Sequence, residues 1–369
     1  MKIGILTFWW SNDNYGQLMQ CYALEKYLQN LGHEVFLINY YPDNDIPRKP
    51  IIKKLIEALN PRNFYKFIKI IIKRRRLEVE RKKNDRQFEL FRKEYIFHST
   101  FSYSSINELQ ANPPQADMYI VGSDQVWNYY CQFKNTLHAY FLDFGSDKTK
   151  KISYAASWGR TDIPDNEIIE ISPLLKCFDY VSVREKSGIE LCRKCGCVSV
   201  EWVCDPTLLL SADEYRNLYN KSQIRRINKN YLLLYMLSNE CNFDVQKAFS
   251  FANKKNLEVV YVTGNNSIDA HDKFYATIPE WLYLIDNADY VITNSFHCGA
   301  FSTIFHKQFG MVALEGGLTG MNARIESLFE LCGTGDRYVT NDNFSVLDVE
   351  YDVKNINVSE NFLKVLKGE

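Results

Sequence analysis

Residues 2–40 read KIGILTFWWSNDNYGQLMQCYALEKYLQNLGHEVFLINY, and this stretch decides the fold. Residues 2–8 begin with an apolar run of strand length. A polar turn with a glycine at its end follows, Ser11-Asn12-Asp13-Asn14-Tyr15-Gly16. Leu18, Cys21, Tyr22, Leu24, Tyr27, Leu28 and Leu31 then recur at the spacing of one helical face. Gly32 closes the helix, as glycine commonly does beyond a helix end, and residues 34–40 form a second strand-like run. Strand, helix and strand joined by short connections open a doubly wound parallel sheet.

Outward from this unit the alternation lapses. Between Arg48 and Lys93 there are 17 Lys and Arg against 5 Asp and Glu. Phe64, Phe67, Ile68, Ile71 and Ile72 fall on one helical face, with Lys66, Lys69 and Lys73 opposite. The segment reads as a basic helical insertion. Alternation resumes after Pro114, with strands expected at 118–121, 151–155, 180–183 and 199–203 and helices near 167–175 and 188–194. A second series starts near Ser211. Its strands are expected at 231–236, 258–262, 290–293 and 309–313, and its helices near 243–254, 279–287, 297–305 and 325–332. The expectation is an α/β protein of two Rossmann-like domains facing one another. Residues 1–210 form the first, with the insertion at 45–98, and 211–369 form the second, with a C-terminal tail.

Composition agrees with this size. The chain has 369 residues, 46% hydrophobic and 24% charged, the profile of a globular protein too long for a single core. A net charge of −1 gives no reason to expect nucleic acid as a partner. No apolar run approaches the roughly 20 residues of a membrane span, and Met1-Lys2 leads straight into the first strand. The expected location is therefore the cytoplasm, with the ten cysteines reduced. Cys192, Cys195, Cys197 and Cys204 include one Cys-x-x-Cys, but no second pair and no nearby histidine, so no metal site is read there. Aromatic content is 14%, which suits sugar rings as well as large cores.

In open α/β sheets ligands bind beyond the carboxyl ends of the strands. Asn12 to Gly16, Asp124, Arg160, Arg184, Asp205 and Ser295 to His297 fall at such ends. The turn at 11–16 is either a plain tight turn or a place where free N–H groups meet an anion. His297 follows a strand and opens a helix, in Asn294-Ser295-Phe296-His297-Cys298-Gly299. Histidine is the side chain most easily set for proton transfer near neutral pH.

Four motifs resemble the polysaccharide pyruvyl transferase family. They are Asn12-Asp13-Asn14-Tyr15-Gly16-Gln17, then Val121-Gly122-Ser123-Asp124-Gln125-Val126-Trp127, then Val181-Ser182-Val183-Arg184-Glu185-Lys186-Ser187-Gly188 with Asp205-Pro206-Thr207-Leu208-Leu209, and finally residues 288–297, ADYVITNSFH. A late Asn322-Ala323-Arg324-Ile325 also fits. The resemblance implies a glycosyltransferase-B-like architecture, with the acceptor on the first domain and the donor on the second. It implies phosphoenolpyruvate as donor, no metal or organic cofactor, and a glycan or lipid-linked sugar as acceptor, in making a bacterial surface polysaccharide. His297 and Asp124 are the implied catalytic residues. Arg184, Ser295, Phe296 and Arg324 are implied at the donor, and Asn12, Asn14 and Gly16 at the acceptor. Some branches of the family carry Arg two residues before the histidine; here that position is Ser295, and Arg324 is the candidate for the charge. The alternatives are a nucleotide-sugar glycosyltransferase of the same fold and a non-catalytic glycan-binding relative. A lipid-linked acceptor adds an expectation for the insertion, peripheral contact of residues 62–83 with the inner face of a membrane.

Overall fold

The computed structural model describes residues 1–42, 72, 75, 78–79, 84–128, 136–264 and 271–367. Most of the expected membrane-contacting stretch, including Phe64, Phe67, Ile68, Ile71 and the basic run at 73–76 except Arg75, lies outside the described residues.

The opening unit folds as its pattern requires. Strand β1 (Lys2–Leu6) is followed by α1 (Tyr15–Asn30) and β2 (Glu34–Tyr40). Gly32 takes φ +86°, the left-handed conformation that stops the helix. Next among the described residues come α2 (Phe88–Tyr95), within the range expected for the insertion, then β3 (His98–Tyr103), α3 (Ile106–Ala111), β4 (Met118–Val121), α4 (Leu137–Tyr140) and β5 (Lys150–Ser153). The five strands are parallel in the order β3-β2-β1-β4-β5. The sequence pattern gives no strand between 40 and 118, so β3 corrects it. Its residues, HSTFSY, are mostly polar and solvent-facing on a sheet edge, and carry no apolar run to read.

Helix α5 (Asp165–Leu175) leads to β6 (Ser182–Val183), and α6 (Lys186–Lys194) to β7 (Glu201–Trp202). These short strands pair with each other and extend the first sheet through the bridges Ile152–Tyr180 and Ala156–Val183. The second series holds α7 (Ala212–Asn220), β8 (Tyr231–Tyr235), α8 (Val245–Lys254), β9 (Glu258–Val262), α9 (Ile278–Asp286), β10 (Tyr290–Thr293), α10 (Phe296–Ile304), β11 (Gln308–Met311), α11 (Asn322–Cys332) and α12 (Glu360–Lys367). Its four strands are parallel in the order β11-β10-β8-β9.

Helix α1 lies between the two sheets. Gln20 and Glu25 are buried along with Leu18, Met19, Cys21, Ala23, Leu24 and Leu28, so it lacks the solvent face of a simple amphipathic helix. Its first residue ties the halves together: the Tyr15 ring stacks on Trp281 at 5.0 Å and its hydroxyl donates to the Ala276 carbonyl at 2.7 Å. One apolar core runs from Ile3 and Ile5 of β1 through α1 to Leu233 of β8 and Val291 of β10. The four thiols of the cysteine cluster are free; Cys192, Cys195 and Cys204 are buried, and burial is the main cause raising their pKa values, to about 11 at Cys195 and about 12 at Cys204.

Candidate functional site

The carboxyl ends of β4, β8, β10 and β11 converge on a cavity of about 330 Å³. Asn14, Asp124, Ser295, Phe296, His297 and Arg324 line it, together with Gln125, Ser238 and apolar residues of the second half. Six of the residues implicated by sequence therefore meet in one place. Arg184, Asn12 and Gly16 do not line this cavity.

Each lining group is fixed by its element. The turn from β10 into α10 is held by Asn294, whose side chain accepts from the Leu237 and Ser238 amides and donates to the Ser238 carbonyl. Ser295 caps α10 by accepting from the Cys298 amide at 3.4 Å, so it satisfies a free helix donor. His297 sits in the first turn of α10, where backbone N–H groups and the helix dipole favour an anion. Asn14 caps α1 by accepting from the Gln17 amide, which turns the end of that helix toward the same cavity. Asp124 takes φ +68°, an uncommon conformation for a residue other than glycine.

Behind the cavity wall lies a buried charge cluster. The Arg184 guanidinium donates to Asp205 Oδ2 at 2.7 Å and stands 3.5 Å from Asp124 Oδ1. Burial works against its charge, but Asp205, Asp124 and Glu185 outweigh it and raise its pKa. Asp205 also accepts from Ser123 Oγ and from the Thr207 amide and hydroxyl, and its Oδ2 lies 3.6 Å from His297 Nε2. Burial alone would raise the Asp205 pKa; the neighbouring His297 and Arg184 reverse that and hold it far below the usual carboxylate range. His297 Nε2 and the Nε and Nη2 groups of Arg184 are buried without a hydrogen-bond partner among the described residues. Both Arg184 and Arg324 lie over the Phe296 ring, at 4.6 and 6.0 Å from its centroid.

Two parts of this arrangement go beyond the sequence-based site. Asp205 stood among the strand-end residues, but its partnership with a histidine 92 positions away had no signal in the chain. Gly16 lies against the imidazole, where an added Cβ would come within 2.1 Å of His297 Nδ1. The Asn12 side-chain oxygen accepts from Arg92 at 2.7 Å.

Two parallel sheets meeting at a cavity built from the carboxyl ends of their strands define a protein of the GT-B type. The chain is similar in fold to UDP-GlcNAc 2-epimerase from Methanocaldococcus jannaschii, with a TM-score of 0.56, 12% identity and all of both chains covered. A second structure of that enzyme, in complex with UDP-GlcNAc and UDP, gives 0.54 at 13% identity, again over the whole of both chains. A putative UDP-N-acetylglucosamine 2-epimerase from Listeria monocytogenes gives 0.51 at 11% identity, covering 94% of this chain and 88% of that one. At such identities the likeness concerns the fold. No curated protein matches the sequence. The family model of polysaccharide pyruvyl transferase matches residues 14–315, and the chain belongs to that family of transferases. Among the described residues no helix is long and apolar enough to cross a membrane.

Proposed function

We infer that the protein transfers a pyruvyl group from phosphoenolpyruvate to two hydroxyls of a sugar, forming a cyclic ketal on a bacterial surface polysaccharide or its lipid-linked precursor. The observation that carries this reading is the convergence of His297, Arg324 and the N-terminus of α10 on one cavity, with Asp205 behind the histidine. A donor bearing a phosphate and a carboxylate calls for such a set of N–H groups and cations. The fold neighbours that act on nucleotide sugars leave the alternative of a nucleotide-sugar glycosyltransferase.

In this reading His297 delivers a proton to the methylene carbon of phosphoenolpyruvate, and positive charge develops at C2. One sugar hydroxyl adds at C2 and gives up its proton to a base, for which Asp124 in the cavity wall is the candidate. The C2–O bond to phosphate then breaks, inorganic phosphate leaves, and the second hydroxyl closes the ketal with loss of its proton. Arg324 and the α10 N–H groups hold the departing phosphate. Asp205, 3.6 Å from Nε2, places a negative charge behind the imidazole. Arg184 fixes Asp205 and Asp124 from behind. The reaction asks for no metal or organic cofactor.

The test is incubation with phosphoenolpyruvate and a sugar panel, read by phosphate release and by the mass of the pyruvylated product. His297→Ala should slow turnover by about 100-fold or more, with phosphoenolpyruvate binding retained. Tight binding of a UDP-sugar that displaces phosphoenolpyruvate, with no pyruvylated product, would transfer the site to the alternative.

A further inference from the structure

The carboxyl end of β1 carries three consecutive aromatic residues, Phe8, Trp9 and Trp10, none of them fully buried. Trp9 is locked: its indole N–H donates to the Tyr40 carbonyl at 3.0 Å and its ring meets His98 edge-on at 4.6 Å. Trp10 is held differently. It touches Phe8 at 5.3 Å and 60°, Trp9 at 6.4 Å and 83°, and Tyr41 at 5.4 Å and 84°. All three contacts are tilted or edge-on, so no ring among the described residues lies flat on Trp10. Its indole N–H makes no hydrogen bond among the described residues. Tyr41, at the end of β2, is 46% exposed. Trp10 and Tyr41 thus form a right-angled aromatic corner on the same strand-end rim as the cavity. Trp10 is joined to that cavity by the Ser11–Asn14 turn, whose last residue lines it. The turn is braced: Arg92 donates to the Ser11 carbonyl and the Asn12 side chain, and Arg86 to the Asn12 carbonyl.

A large ring left part-exposed and unstacked beside a polar cavity is an unfavourable use of apolar surface unless something covers it. A pyranose fits this corner. One face of such a ring presents C–H groups with partial positive charge to the negative face of an indole or phenol, while its hydroxyls stay at the rim within reach of a free indole N–H. An anionic donor does not suit two uncharged aromatic faces, neither of which meets a cation among the ring contacts of Trp10 and Tyr41 within the described residues.

Resting on the pyruvyl-transfer reading, we propose that Trp10 and Tyr41 form the acceptor subsite, a stacking shelf for a pyranose whose hydroxyls reach the cavity across the Ser11–Asn14 turn. The shelf selects for a sugar ring with a continuous C–H face, and the cavity holds the donor.

The experiment is saturation-transfer NMR of the full chain, without donor, against methyl α- and β-pyranosides of glucose, galactose, mannose and N-acetylglucosamine. Irradiation of the protein should transfer magnetisation to the C–H protons of at least one glycoside. Trp10→Ala and Tyr41→Ala should weaken that binding roughly tenfold, and Trp10→Phe should keep most of it. Calorimetric binding of phosphoenolpyruvate should be equal in all variants. Trp10→Ala and Tyr41→Ala chains that bind the glycosides as the parent does, or a parent that binds none of them, would overturn the shelf. Glycoside binding at the shelf without release of phosphate from phosphoenolpyruvate would leave the shelf standing as a sugar site and sink the pyruvyl-transfer reading, so the two fail separately.

Discussion

Gly16 makes the seat of His297, the proton donor of the proposed reaction. Any larger residue there puts a Cβ at 2.1 Å from Nδ1 and 2.3 Å from Cγ of His297. The helix backbone cannot retreat, because Tyr15 next to it is stacked on Trp281. The ring must move, and with it the 3.6 Å approach of Nε2 to Asp205. Gly16→Ala should therefore lower kcat by about 100-fold, close to the effect of His297→Ala, since a small misplacement of a reacting group costs about this much. The KM for phosphoenolpyruvate should change far less. Steady-state kinetics decide it, and a kcat within threefold of the parent would mean that the imidazole sits elsewhere during turnover. That Asn14, Asp124, Ser295, Phe296 and His297 share one cavity was legible because strand ends and turns mark them in the chain, whereas Arg324, inside a helix, came only from the family resemblance. The seat made by Gly16 and the pairing of Asp205 were not legible, because each depends on a contact across more than 90 residues that no local pattern encodes.

At the scale of elements, α1 carries a buried acid that its apolar spacing hides. Glu25 is 1% exposed. Its Oε1 accepts from the Phe97 amide at 3.0 Å and from Gln29 at 3.2 Å, and its Oε2 has no partner among the described residues. Burial raises its pKa to about 8, against the smaller lowering by the two hydrogen bonds. The folded state therefore keeps a proton that the unfolded chain releases near pH 4.5. This contribution to stability is fully present below about pH 4.5 and is lost as the pH rises to about 8, at up to about 1.4 kcal/mol per pH unit. Gln keeps an oxygen for the Phe97 amide and cannot ionise. The melting temperature of Glu25→Gln should thus exceed that of the parent by more at pH 8 than at pH 5. An equal difference at both values would show that the carboxyl is ionised in the folded protein throughout. The sequence pattern captured α1 because its apolar spacing is regular, and misjudged its faces because a helix between two sheets has little solvent face to show. For the same kind of reason β6 and β7 were read longer than they are. Apolar and β-branched residues recur through 180–183 and 199–203, whereas only Ser182–Val183 and Glu201–Trp202 form a continuous ladder, Tyr180 making a single bridge to Ile152.

At the scale of the whole molecule the two sheets share one core between them, each keeps a further apolar cluster of its own, and the chain ends are interlocked. Helix α12 follows the second series in the chain but rests on the first sheet. Phe362, fully buried, meets Tyr154 at 4.4 Å and Tyr180 at 6.1 Å. Around it Tyr180 donates to Glu201 at 2.7 Å, and Ser359 and Asn361 donate to the same carboxylate. The chain thus crosses between its halves twice, near Ser211 and again before α12, while Tyr15 and Trp281 join them beneath the cavity. Apolar residues of α1 and of both sheets belong to this shared cluster, so separate unfolding of either half would leave part of it bare. Calorimetry should show one unfolding transition. Phe362→Ala, which empties a buried ring position, should shift it downward by several degrees, in line with a cost of about 3–5 kcal/mol. The shift should move the entire transition, because the ring belongs to the common core. Two resolved transitions in the parent, or a Phe362→Ala chain in which only part of the heat absorption moves, would show that the halves hold themselves up independently and that the cavity between them opens by domain separation.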